Sequence, residues 1–267
     1  MFGGGGALSP TLFIESLSKT RVSGPAARWG FTLAEVLITL GIIGVVAAVT
    51  LPTLIADHRE KQTVVRLKHT YSLISQAVRM MIFEHGELNL WSDDSKEFFE
   101  QELTKQLKII GEQDCPYAIW RKGLCSFAVN SNHKYVLNNG VVVGVTGRNL
   151  NSPPDASSFH RCNTSVQKAL SGDGIGIHYG GCAFISVDIN GRSKPNQYGK
   201  DSFAFRVYTD GVLPQGHIEQ CSQEGFNMCT SDGGANCTAW VIYHENMDYL
   251  KCRDKLSYDK GPYSCKK

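Results

Sequence analysis

GFTLAEVLITLGIIGVVAAVTLPTLI fills residues 30–55, and the rest of the chain is read outward from it. Residues 36–55 carry no formal charge. At about 1.5 Å of rise per helical residue this run reaches roughly 30 Å, the hydrocarbon thickness of a bilayer. A soluble core helix of that length would show a polar face, so the run reads as a single membrane-spanning segment. Ordinary secretory cleavage is not expected. Pro52-Thr53-Leu54-Ile55 leads through Ala56 straight into Asp57-His58-Arg59-Glu60-Lys61, with no small-residue cleavage site between. A single carboxylate, Glu35, stands at the entrance to the run, and no Lys or Arg inside the run can neutralise it. Ionisable residues at such depth are functional by default, so Glu35 calls for a cationic partner from elsewhere.

The whole chain is 267 residues, 42% hydrophobic, 10% aromatic and 19% charged. That excludes disorder, which needs low hydrophobicity and high net charge. Its 27 Gly and 9 Pro follow no fixed period, so collagen is excluded too. The formal charge is only +2, which gives no global basic field for nucleic acid. Lys19, Arg21 and Arg28 against Glu15 account for all of that +2 within residues 1–30, leaving the remainder neutral. A charge excess placed ahead of the apolar run reads as a membrane-orientation signal, leader side in.

Gly30-Phe31-Thr32-Leu33-Ala34-Glu35 fused to a spanning run closely resembles the class III signal of type IV prepilins and type II secretion pseudopilins, the prepilin-type cleavage and methylation segment. The match covers residues 30–55 and extends more loosely through the next helix. The resemblance implies that a membrane prepilin peptidase cuts between Gly30 and Phe31 and methylates the new amino terminus at Phe31. It also assigns Glu35 to assembly. The freed α-amino group is largely protonated at neutral pH, and in a filament it would pair with Glu35 of a neighbouring subunit. On this view Glu35→Ala is processed and membrane-bound but poorly assembled. The sequence departs from the family in its long leader and in Arg28-Trp29 ahead of the glycine.

Beyond the run, Val64, Leu67, Tyr71, Ile74, Val78 and Met81 recur every three or four places with Arg59, Lys61, Arg66, Lys68 and Arg79 between them. This predicts a helix over residues 32–84, loosened or kinked at Pro52 and stopped by Gly86. The expected organisation is a leader over 1–30, a membrane or fibre-core half-helix over 31–55, an amphipathic half over 56–86, and a cysteine-rich α+β domain over 87–267.

Within that domain a charged helical stretch over 93–110 gives way to short strand-like runs at 126–129, 135–137, 141–145, 183–189, 203–208 and 239–243. Asn138-Asn139-Gly140, Asn190-Gly191 and Asp210-Gly211 supply turn chemistry. Short connections favour antiparallel hairpins. The expected fold class is therefore α+β, a small antiparallel sheet packed on the second half of a long N-terminal helix, as the pilin resemblance also implies. All 9 Cys fall in this domain and none forms a C-x-x-C pair, so disulfides are expected rather than a zinc or thioredoxin-like centre. Cys115–Cys125 and pairs within the Cys221–Cys237 cluster would close short loops.

Asp188, Asn190, Asn196 and Asp201 gather side-chain oxygens in one short stretch, which resembles a segment of prepilin-like proteins, some of which bind calcium in a β-loop. Arg192 falls where an EF-hand would need an oxygen ligand, and Asx turns account for the same residues. Calcium at Asp188, Asn190 and Asp201 is thus a subsidiary expectation, and no other cofactor is expected. The eight His accompany no H-E-x-x-H, G-x-S-x-G, Walker or G-x-G-x-x-G pattern.

The chain is therefore expected to be a non-enzymatic, pilin-like structural subunit, a minor one, of a type II secretion pseudopilus supporting protein export. Its implied partners are prepilin peptidase, other pilin or pseudopilin subunits, the inner-membrane assembly platform and the inner membrane, with the C-terminal domain periplasmic. The alternative is a minor pilin of a type IV pilus for DNA uptake or adhesion, although the neutral mature charge gives nucleic acid no support.

Overall fold

A computed structural model of the chain describes residues 30–91, 96–112, 134–147, 162, 165–167, 181–191, 193–216, 237–258 and 261–265. One helix, α1, runs over Leu33–His85 for 53 residues and passes through Pro52 without interruption. It spans about 80 Å, and both ends fall within a residue of the sequence expectation. Gly86 ends it with φ of 83°, donating its N–H to the Ile82 carbonyl at 2.8 Å. A left-handed residue here costs a side chain dearly, which is why glycine terminates the helix.

The chain divides after Pro52 into two units. In the first, the apolar side chains point outward all round the helix: Leu37 is 60% exposed, Ile43 63% and Val49 70%. A helix that is apolar on every side and buries none of it is built for lipid or for neighbouring helices, and its length and composition suffice to cross a membrane.

The second unit begins at Thr53. There α1 buries one stripe, Val64, Leu67, Thr70, Ile74, Ala77, Val78 and Met81, at helical spacing. Leu67, Ile74 and Met81 are fully buried, each gaining about 1.5–3 kcal/mol from the transfer. The stripe packs on a sheet of β1 (Ile109–Glu112), β2 (Lys134–Leu137), β3 (Val142–Gly147), β4 (Ala183–Asp188), β5 (Ser202–Tyr208) and β6 (Gly211–Pro214). The strands lie in sequence order and every pairing is antiparallel. Tyr71 of α1 stacks on Phe205 of β5, with ring centres 5.4 Å apart, and its hydroxyl donates to the Val212 carbonyl at 3.1 Å. The fold class is α+β, a long helix packed through its second half on an antiparallel sheet.

The hairpin turns fall where the sequence placed them. Gly140, with φ of 81°, closes the β2–β3 turn by donating its N–H to the Leu137 carbonyl. Thr209 and Asp210 form the two-residue loop that leaves Tyr208 opposite Gly211. A helix α2 over Lys96–Gln106 occupies the expected charged stretch, but Ile109 and Ile110 belong to β1. The expected strand at 239–243 is instead the helix α3, Thr238–His244. Its β-branched and aromatic composition misled. A five-residue run has no readable period, and burial of Trp240 and Val241 on a helical face overrides local propensity. A short helix α4 follows at Tyr249–Cys252. Strand β6 was not anticipated, and the run at 126–129 lies outside the described residues.

Two disulfides join described residues, Cys162–Cys182 and Cys252–Cys265. Loops of these sequence separations, 20 and 13 residues, give about 3 kcal/mol each in the chain-entropy account. Cys237 is a fully buried thiol, pushed up to about 12 by desolvation. Cys115, Cys125, Cys221 and Cys229, with the pairings expected of them, lie outside the described residues.

Candidate functional site

Gly30, Phe31 and Thr32 precede the first helical residue in non-helical backbone. Phe31 is 87% exposed. A Cβ added to Gly30 would meet nothing within 4 Å, so neither packing nor a positive φ requires glycine there. Among the described residues, nothing in the chain itself demands a small residue at this position.

Glu35 occupies the third position of α1, and Thr32 is its N-cap. The Thr32 backbone N–H and hydroxyl both donate to Glu35 Oε2 at 2.8 Å, while the Glu35 N–H donates to Thr32 Oγ1 at 3.2 Å. This is a reciprocal capping box that satisfies two otherwise unpaired amides of the first turn. The signal for this cap, Thr-x-x-Glu ahead of an apolar run, stands in the sequence itself at Thr32 and Glu35. Glu35 therefore organises its own helix start before any neighbour is considered.

The β4–β5 loop brings Asp188, Asn190, Asn196 and Asp201 together. Asp201 is its organiser. Its Oδ2 accepts from the Asn196 N–H at 2.7 Å and from Asn190 Nδ2 at 3.1 Å, and its Oδ1 accepts from the Gln197 N–H at 2.7 Å. Asp188 Oδ1 accepts from the Asn190 N–H at 3.2 Å. With its amide oriented to suit both partners, Asn196 donates to Asp188 Oδ2 at 3.0 Å and to the Ser193 carbonyl at 2.8 Å. Asp188 also faces a buried cation: desolvation lowers the Lys134 ammonium's pKa, and the Asp188 charge opposes that fall. Most of the oxygens that calcium would need are thus already committed to N–H donors. Asn190 Oδ1 is the exception, buried with no hydrogen-bond partner. The set fits an Asx-stapled loop better than a calcium site.

Between this loop and α1 lies a cleft of about 600 Å³. Its charged rim has Arg59 and Arg66 from α1, Lys194 and Lys200 from the loop, and Lys251 from α4, against the carboxylates of Glu60 and Asp201. Both carboxylates are occupied. Glu60 accepts from Lys251 at 2.7 Å and from the Met247 N–H at 3.0 Å, and Asp201 holds the loop. Arg66 donates to the Asn139 carbonyl at 2.8 Å. Arg59, Lys194 and Lys200 are exposed, and none forms an ion pair among the described residues. No local sequence signal predicts this cleft, because its members are up to about 190 residues apart.

A third cluster locks α1 to α2. His85 Nε2 lies 3.1 Å from Glu102 Oε2 and 3.9 Å from Glu84 Oε2. Lys105 binds the other oxygen of Glu102 and, together with His85, holds that carboxyl below its usual range. A metal would compete with an ammonium already in place, so the cluster reads as a packed ion pair walled by Trp91 and Phe98.

These features define a class: a helix of membrane-spanning length continuous with a disulfide-bridged α+β domain. Residues 53–227 match the family of unknown function DUF6613, and the chain belongs to that family. No curated protein and no solved structure matches it. The matched region begins at the second half of α1 and takes in all six strands, so the domain and not the processing segment carries the family likeness.

Proposed function

We propose that this protein is a pilin-like structural subunit, a minor one, of a type II secretion pseudopilus, cut between Gly30 and Phe31 by a prepilin peptidase and N-methylated at Phe31. The observation that carries this reading is the arrangement at the helix start. An exposed Gly30–Phe31 bond in non-helical backbone sits two residues ahead of a long helix whose first half is apolar on every face and whose only early charge is Glu35. A peptidase can reach such a bond, and cleavage leaves a cationic amine four residues from a carboxylate. Subunits stacked side by side through their apolar half-helices would then neutralise one another within a dry shaft.

In this reading the protein is the substrate of two modifications and performs no chemistry itself. It sits in the inner membrane with the domain periplasmic, and it meets prepilin peptidase, the assembly platform and other subunits. The oxidised pairs Cys162–Cys182 and Cys252–Cys265 support an oxidising location for the domain. In this reading the loop at Asp201 is held by its own hydrogen bonds. Mass analysis of the protein's amino terminus after co-expression with a prepilin peptidase tests the proposal. The expected mature chain begins with N-methyl-Phe31. A chain that keeps its leader, or begins elsewhere, refutes it.

A further inference from the structure

We infer that the cleft between α1, the β4–β5 loop and α4 holds the headgroup of an anionic phospholipid at the surface of the membrane that α1 enters; this rests on the reading that residues 36–55 span a bilayer. The uncharged run ends at Ile55 and the cleft begins at the next residue, Ala56. At about 1.5 Å per residue, Arg59 stands roughly 6 Å beyond the hydrocarbon edge, inside a headgroup layer about 5–8 Å deep. Arg66, nearly two turns further, closes the far side.

Charge and surface chemistry narrow the occupant. Glu60 is paired with Lys251, and Asp201 bonds only neutral N–H groups and keeps its charge, yet the five cations of the lining outnumber these two carboxylates by three, so Arg59, Lys194 and Lys200 leave the cleft net positive. Bare phosphate would satisfy those cations alone. The cleft also offers apolar wall from Pro195, Met247 and Leu250, and Leu250 is 48% exposed. A basic rim above an apolar wall matches an amphiphile, whose phosphodiester meets the cations while its glycerol and first methylenes cover the wall.

The test uses the full chain in detergent micelles, titrated with phosphatidylglycerol, phosphatidylcholine or inorganic phosphate and read by native mass spectrometry. Phosphatidylglycerol is expected to bind one to one, well ahead of phosphatidylcholine, with no competition from millimolar phosphate. Each cation removed in Arg59→Gln, Lys194→Gln and Lys200→Gln should weaken retention about five-fold, from roughly 1 kcal/mol per basic residue at an anionic surface. All three side chains are exposed, so these variants keep the fold, which tryptophan-monitored melting checks. Equal retention of the two lipids, displacement by phosphate, or undiminished binding by the triple variant overturns the inference. Alkaline carbonate extraction from membranes separates the two levels. A chain released by carbonate sinks the spanning reading, whereas one that stays embedded without lipid preference sinks only this inference.

Discussion

Asp201→Asn tests whether the β4–β5 loop holds itself. The native carboxylate accepts three hydrogen bonds, two of them from backbone amides at 2.7 Å, and Asp201 is only 3% exposed. An amide offers one acceptor oxygen instead of two and turns an NH2 toward N–H donors, so either rotamer leaves at least one backbone donor unsatisfied. A lost hydrogen bond to a charged group costs about 1.5–3 kcal/mol, and the stranded amide raises the loss to about 2–4 kcal/mol. For a domain of this size roughly 2–4 °C of melting temperature accompanies each kcal/mol, so Tm should fall by about 5–15 °C. Trp91 and Trp240, both buried in the domain, report the transition by fluorescence in the full chain held in detergent. The same melts run with chelator and with calcium separate the stapled loop from an ion site. Wild type is expected to melt at the same temperature in all three conditions. If the substitution moves Tm by less than 2 °C or so, the carboxylate is not the organiser. If chelator alone lowers wild-type Tm as far as the substitution does, an ion on Asn190 Oδ1 does the stapling.

Gly30→Leu should leave the domain's melting unchanged, because the added side chain meets open space, while abolishing cleavage on a gel-shift assay; normal processing would show that no small-residue reader acts there. Glu35→Gln keeps an oxygen for the Thr32 cap but removes the charge, so it should assemble as poorly as Glu35→Ala in sheared-filament immunoblots. Wild-type assembly by the amide variant would leave Glu35 with capping alone. Burial lowers the His244 pKa below its usual value, so the folded state binds fewer protons there than the unfolded one. Stability from this site is therefore full above about pH 6.5 and drains as pH falls toward the folded value. His244→Phe, which keeps the stack on Tyr263 at 4.6 Å, should flatten the fall of Tm between pH 7 and 5, and an unchanged slope would remove His244 as the cause. Replacing Cys252 and Cys265 with serine should cost about 3 kcal/mol, seen as a lower Tm, if the bridge restrains the unfolded chain.

What the sequence made legible is what repeats locally. The long helix could be read to within a residue at each end, because an unbroken apolar run, a three-and-four stripe and Gly86 all act over short spans. Four strands and their turns were legible for the same reason. The helix at Thr238–His244 was not, since its seven residues take their state from where Trp240 is buried rather than from their own propensities. The orientation signal needs the same care. By the usual count of Lys and Arg within twenty residues of the run, the leader offers Lys19, Arg21 and Arg28 while the far side offers Arg59, Lys61, Arg66 and Lys68. Counted this way, Lys and Arg do not favour the leader side, so the orientation expected from net charge rests instead on the proposed processing motif. The basic residues on the far side are also those the fold turns to use: Arg59 and Arg66 join lysines that lie more than a hundred positions later to rim one cleft. A residue that looks adverse to translocation in a one-dimensional count is thus, in the proposed lipid site, a binding group at the depth of lipid phosphate. Long-range assembly of scattered charges is what sequence periodicity cannot encode, and it is where function beyond the motif has to be sought.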